Sequence, residues 1–71
     1  MILYSEELEF RGVSAHKGKE DKEYYIAHFE SSDNAQHEFF TKLDSVANMR
    51  KGEMYSLRFN YSKGKVYFEG V

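Results

Sequence analysis

Positive charge and aromatic rings lie side by side in residues 14–25 of this 71-residue chain. Lys17, Lys19 and Lys22 belong to a polar stretch that contains Gly18 and leads directly into two tyrosines. Lysine neutralises phosphate and aromatic rings stack on bases, so this combination is typical of proteins that bind single-stranded nucleic acid without sequence preference. The stretch predicts a loop that contacts phosphates, followed by a strand that carries a stacking ring.

Further candidates point outward on the predicted strands. Tyr24, Phe40 and Tyr67 are candidate stacking rings, with packing in the core or a dimer interface as the alternative role. Arginine side chains can stack on bases or pair with phosphate, with surface salt bridges to glutamates as the alternative. The predicted nucleic-acid-binding set is Arg11, Lys17, Lys19, Lys22, Tyr24, His28, Phe40, Arg58, Lys63, Lys65 and Tyr67.

The sequence offers little for catalysis or metal binding. There is no cysteine, which excludes disulfides, thiolate zinc ligands and a thiol nucleophile. The histidines at positions 16, 28 and 37 lack the spacing of a metal motif, so neither a metal nor a cofactor is expected. The acidic pairs Glu6-Glu7 and Glu20-Asp21 accompany no nucleophile or phosphate-binding loop, so we expect no enzyme.

Composition sets further limits. The length predicts one domain, residues 1–71. A net charge of −2 argues against a strongly basic nucleic-acid binder. Residues 1–38 carry nine acidic and four basic side chains, whereas residues 39–71 carry three and six, so a local basic surface is compatible with the total. No leader or membrane-length apolar run is present, and we expect a cytoplasmic protein.

Apolar residues alternate with polar ones in three segments of the first half, at residues 2–13, 24–30 and 36–41, which predicts three strands. In the first, Ile2, Tyr4, Leu8 and Phe10 are expected on one face. In the second, Tyr25, Ala27 and Phe29 are expected to face the core, and in the third Phe40 is expected to be exposed. A polar loop at 14–21 and a turn at 31–34 separate them.

The second half begins with a change of period. Residues 41–50 repeat at helical spacing, with Thr41 and Asp44 resembling a capping box and Gly52 placed to end a helix of roughly two to three turns. Two strands follow at 53–61 and 66–71, joined by a tight turn at 62–64. The residues expected inward are Tyr55, Leu57, Phe59, Tyr61, Val66 and Phe68.

This order predicts a mainly β fold: a five-stranded, OB-fold-like Greek-key barrel with one short helix between strands 3 and 4. An SH3-like barrel and a sheet covered by one helix are alternatives. An OB-fold binds ligands around strands 2 and 3, between its first-to-second and fourth-to-fifth loops. Lys17, Lys19 and Lys63 fall on those two loops.

Short motifs extend this prediction from Gly12 onward. They are Gly12-Val13-Ser14, Gly18-Lys19 before a tyrosine, Gly52-Glu53-Met54-Tyr55-Ser56-Leu57, and Gly64-Lys65-Val66-Tyr67. In these motifs the chain resembles the single-stranded DNA-binding proteins of filamentous phages and their small phage and plasmid relatives. It departs from them in the acidic insertion Glu20-Asp21 and in its helix.

The resemblance implies an OB-fold homodimer that coats single-stranded DNA cooperatively, in the DNA replication of a phage or mobile element. Either Tyr24 or Tyr25 would be the stacking ring that follows the loop. RNA binding is an alternative that the sequence leaves open, because discrimination depends on contacts to the 2′-hydroxyl. A protein–protein interaction module that uses the exposed rings is the other alternative. No membrane and no small-molecule substrate is expected.

Overall fold

The computed structural model describes all 71 residues as a mainly β fold. Its elements are β1 (Ile2–Lys17), β2 (Glu23–Glu30), β3 (Gln36–Thr41), α1 (Leu43–Val46), β4 (Met54–Ser62) and β5 (Lys65–Gly70). The strands form one sheet in the order β3-β2-β1-β4-β5, and each neighbouring pair is antiparallel. The predicted order of five strands and one helix is confirmed. None of its helices has the length and apolar character needed to cross a membrane.

Strand β1 is the central element because it pairs with β4 along its first part and with β2 along its second part. The change of partner falls at Phe10, which exchanges backbone hydrogen bonds with Gly52 and Glu53 just before β4. A bulge follows between Phe10 and Gly12, and Gly12 has a positive φ of 113°. A bulge increases local bending and twist, so the long strand can belong to both halves of the sheet.

A second bulge interrupts β1 between Tyr4 and Glu7. The Ser5 hydroxyl accepts a hydrogen bond from the Leu57 backbone N–H at 2.9 Å, and the Ser56 hydroxyl donates to the Ser5 carbonyl at 2.7 Å. These side chains replace backbone partners that the irregular ladder leaves without a bond. The bulge therefore costs the sheet little hydrogen bonding.

The bulges correct two predictions about β1. Leu8 and Phe10 are buried, but Ile2 and Tyr4 are exposed, because the bulge between them reverses which parity faces inward. The strand also continues through Lys17, so residues 14–17 pair with β2 and the loop reduces to a tight connection around a single 3-10 turn at Lys19–Asp21. The prediction of a loop from residue 14 was wrong.

The core is small and aromatic. The buried apolar residues are Leu8, Phe10, Ala27, Phe29, Val46, Met49 and Leu57. Phe29 is fully buried, and its ring centroid lies 5.4 Å from that of Phe10, 6.0 Å from Phe39 and 5.9 Å from Phe68. Phe59 joins the same network, 5.1 Å from Phe39. Five of the six phenylalanines therefore pack together.

The helix is shorter than the sequence predicted. α1 is one turn of four residues that begins after Lys42, and no side chain caps it. The Thr41 hydroxyl bonds to the Lys42 carbonyl instead of a helix N–H. Gly52 adopts a positive φ of 89° but donates its N–H to Phe10 of β1. Residues 47–50 are not helical, and the chain instead turns and bonds to Phe10 of β1 through Gly52 and Glu53.

At the end of β4 and the start of β5, two residues that were predicted to face the core are exposed. Leu57 is fully buried and Phe59 and Phe68 pack against the core, as expected. Tyr61 and Val66, which pair with each other across β4 and β5, are 42% and 56% exposed. The strands extend beyond the single layer of core residues, so the predicted burial of this pair was wrong.

The turn between β2 and β3 is held by Ser31 and Asp33. The Ser31 hydroxyl donates to the Asp33 carboxylate and also accepts the Ala35 backbone N–H at 3.1 Å. The hydroxyl bond, together with backbone N–H groups of Ala35 and Asp33, holds the pKa of the Asp33 carboxyl below its usual value. This is the side-chain-to-backbone bonding that the serine- and aspartate-rich turn predicted.

Strands β3 and β5 form the two ends of the sheet and lie close together without pairing. Because every neighbouring pair is antiparallel, both run in the direction of β1. Their Cα atoms come within 8 Å, and the rings of Phe39 and Phe68 stack across the space at 5.8 Å. The sheet is therefore strongly curled but not closed by hydrogen bonds.

Gly70 provides a test of how β5 packs on α1. Its φ is +102°, and a Cβ there would lie 2.5 Å from the Ser45 carbonyl oxygen; Gly64 also has a positive φ, +79°, but faces open space. We expect Gly64→Ala to lower the free energy of unfolding by about 1–2 kcal/mol through backbone strain alone. Gly70→Ala should lower it further, because the backbone must also move. Urea unfolding of both variants measures the difference, and equal losses would contradict the close contact.

Candidate functional site

Three rings form a row on the outer face of β1, β2 and β3. His16 and Tyr24 are cross-strand partners whose rings stack at 5.2 Å with an interplanar angle of 15°. The Tyr24 ring lies 5.7 Å from that of Phe40. Tyr24 is 37% exposed and Phe40 is 73% exposed. We call these three residues the aromatic row. Their rings are exposed to solvent on the face of the sheet opposite the core.

Alternation along β2 decides which tyrosine belongs to this row. Ala27 and Phe29 are fully buried, so Tyr25 shares their inward parity and Tyr24 the outward one. The Tyr25 hydroxyl donates to the Glu23 carboxylate at 3.0 Å, and this bond raises the pKa of the Tyr25 phenol. Gly18 flanks the other ring, since a Cβ at this position would lie 3.5 Å from the Tyr24 ring. The outward ring is therefore Tyr24.

A cleft of about 1090 Å³ continues from the aromatic row between β3 and β5. Phe40 lines one side and Tyr67 lines the other, with Lys42 and Lys65 among the lining residues. Lys42 also lines a shallower depression of about 400 Å³ beside Tyr24. The structure thus brings all three predicted stacking rings, Tyr24, Phe40 and Tyr67, to one connected surface.

The loop lysines lie at the opposite end of the aromatic row from the cleft. Lys17, Lys19 and Lys22 are exposed and form no ion pair. The loop between them turns tightly, with Glu20 and Asp21 at positive φ values of 62° and 57°. Left-handed backbone is uncommon for residues other than glycine, asparagine and aspartate, so this connection has a specific shape and is not an open coil.

Three predicted residues lie apart from the row and the cleft. Arg11 pairs with Glu9 at 2.7 Å and lies 3.9 Å from Glu30, and these carboxylates raise the pKa of its guanidinium. Arg58 is exposed on β4, opposite Tyr4. Lys63 is exposed in the turn between β4 and β5 at a φ of 51°. Neither arginine nor Lys63 lines the cleft.

His28 lies beside the row in a polar network. Its Nε2 is 2.7 Å from the Ser14 hydroxyl, which is also 2.7 Å from Nε2 of His16. Its Nδ1 is 3.3 Å from the Glu38 carboxylate. No group of three or more histidine, cysteine, aspartate or glutamate side chains suited to a metal ion is present.

Sequence reasoning missed two members of this surface. His16 was assigned to a loop, although Gly12, Ser14 and His16 continue a period of two that could have indicated a longer strand. Lys42 shares the outward parity of Phe40, so the same alternation could have assigned it to this surface. Only the omission of His16 follows from ending a strand too early, because the predicted bounds of β3 match the observed ones.

No protein-family model, no curated protein and no solved structure matches the chain.

The neighbouring residues Phe39 and Phe40 test the assignment of inner and outer faces. Phe39→Ala removes a ring from the core network and should cost about 3–5 kcal/mol of unfolding free energy. Phe40→Ala removes an exposed ring and should cost less than about 1 kcal/mol. Chemical unfolding monitored by circular dichroism compares them. A large loss for Phe40→Ala would mean that this ring is packed and not available to a ligand.

Proposed function

We propose that the chain is an OB-fold-like barrel that binds single-stranded DNA without sequence preference. The observation that carries the proposal is the aromatic row, three adjacent rings exposed on the outer face of β1, β2 and β3. In an OB-fold the same region of strands 2 and 3 meets oligonucleotides. Barrel closure is supported by the approach of β3 and β5 in parallel directions.

Ring exposure is the physical reason to expect a stacking ligand. Leaving Phe40 in water forgoes roughly 25 cal/mol for every Å² of apolar surface that burial would remove from solvent. A base stacked on such a ring contributes roughly 1–3 kcal/mol, and every base offers a π-face, so no sequence preference is needed. A strand that follows the surface would meet Tyr24 first, then Phe40, and then Tyr67 across the cleft.

The lysines around these rings would neutralise the phosphates of the bound strand. Lys17, Lys19 and Lys22 flank the row at the hairpin loop, and Lys42 and Lys65 line the cleft. The cleft also contains Glu38 and Glu69, so its own charge is balanced. Glu20, Asp21 and Glu23 balance the three loop lysines in the same way, so attraction for phosphate depends on individual lysines and not on a net positive surface, on a protein whose total charge is −2.

A second candidate function is an interaction module, with a second copy of the chain as the first partner to consider. Met1, Leu3, Tyr61 and Val66 are exposed near the ends of β1, β4 and β5, where the sheet extends past the core. Exposed apolar patches of this kind mark protein–protein contacts. Such a homodimer would leave the aromatic row free, because Leu3 is at the opposite end of β1 from His16, but Val66 also lines the cleft and would be shared with DNA.

Oligonucleotide titration tests the proposed function directly. We expect labelled oligo-dT to bind at low salt, and Tyr24→Ala and Phe40→Ala each to weaken binding by roughly 1–3 kcal/mol. Tyr4→Ala is the matched control, since Tyr4 is 68% exposed but lies on the part of β1 that pairs with β4. Fluorescence anisotropy gives the affinities. Absence of binding, or an equal loss of affinity in the Tyr4 variant, would favour the interaction module. A parallel titration with oligo-U measures the preference for RNA.

The salt dependence of the same titration tests the lysines. Each lost phosphate contact on a single strand should make the slope of log K against log salt concentration about 0.7 less steep. Lys19→Gln should show this change, because Lys19 is exposed beside the aromatic row. Arg50→Gln changes the net charge equally from the connection between α1 and β4, and its slope should stay near that of the unmodified chain. Equal slopes for the two variants would show that only overall charge matters.

A further inference from the structure

Two imidazoles converge on the outer face of the β1–β2 hairpin. His16 and His28 are twelve residues apart in sequence, yet the Nε2 atom of each lies 2.7 Å from the same oxygen, the Ser14 hydroxyl. Their ring nitrogens are therefore separated by no more than twice that distance. Both residues are at least partly accessible, so an ion could reach the pair from solvent.

We propose that His16 and His28 form a binding site for one late first-row divalent cation, Cu²⁺ or Zn²⁺. Imidazole nitrogen is a preferred ligand of these ions, with a Zn–N distance of about 2.0–2.1 Å. The cation would lie between the two Nε2 atoms, after the Ser14 hydroxyl turns away and the rings of exposed His16 and half-buried His28 rotate. The proposal does not rest on DNA binding, although His16 also belongs to the aromatic row.

The surroundings of His28 are those of a metal ligand. Glu38 Oε2 lies 3.3 Å from Nδ1 of His28, on the side of the ring away from Ser14. The negative charge of this carboxylate favours a proton on Nδ1, and that tautomer leaves the Nε2 lone pair free for a cation. His16 is held by its stack against Tyr24.

The number of protein ligands determines the kind of site. Two imidazoles leave at least two positions of a tetrahedral ion to water or to another ligand, which is the open arrangement of exchangeable ions and not the closed one of structural zinc. Because the ligands must be unprotonated, binding should weaken as the pH falls. The bound charge would lie directly beside Tyr24 in the aromatic row.

Calorimetric titration of the chain with CuCl₂ and with ZnCl₂ tests the proposal. We expect one saturable site, with tighter binding of Cu²⁺. His16→Gln and His28→Gln should each weaken binding at least tenfold, and Glu38→Gln by about 10–100-fold. His37→Gln is the matched control: His37 is the third histidine and lies on β3 at the parity opposite to Glu38. Its loss should leave the affinity unchanged.

Ring-nitrogen NMR with Zn²⁺ distinguishes this site from adventitious binding and needs no variant. The Nε2 resonances of His16 and His28 should shift together at one equivalent of Zn²⁺, while those of His37 remain in place. No saturable binding of either ion, simultaneous shifts of all three histidines, or an equal loss of affinity in His37→Gln would overturn the proposal.

Discussion

Contact among five phenylalanine rings is the interaction on which this small fold depends. Only ten of 71 residues are buried, so a few large side chains must supply most of the apolar area. Phe29 lies at the centre and contacts rings from β1, β3 and β5. Strands β1 and β3 are the neighbours of β2, but β5 lies three places away, so the contact of Phe29 with Phe68 can form only if the sheet curls. The cluster thus brings the edges β3 and β5 together, and with them the two sides of the cleft.

The same packing creates the outer surface. Side chains alternate along a strand, so burial of Phe29 and Phe39 forces Tyr24 and Phe40 to the opposite face. Tight pairing of β1 with β2 then places His16 against Tyr24 and brings Ser14 between two histidines. An aromatic core and an exposed aromatic row are therefore consequences of one register, since a slip of one residue would exchange them.

Bulges in β1 allow one strand to serve both halves of the sheet. The irregularity at Phe10–Gly12 lies where β1 leaves β4 and joins β2, and glycine permits the positive φ that the bend requires. At the other bulge the Ser5 side chain bonds to the backbone of β4. These local features explain why the strand is long and why its exposed parity changes along its length.

Alternation in the sequence determined much of this structure by itself: the five-strand order, the bounds of β3, the burial of Ala27, Phe29 and Leu57, and the exposure of Phe40. These are local properties, because the side-chain period of a strand is independent of its partner. Helical spacing after Thr41 predicted two to three turns, but the helix ends at Val46 and the chain goes on to bond with Phe10 through Gly52 and Glu53. The convergence of His16 with His28, and of Phe40 with Tyr67, was decided only by the tertiary structure. Strand register and sheet curvature bring these residues together, and neither is encoded in their separation along the chain.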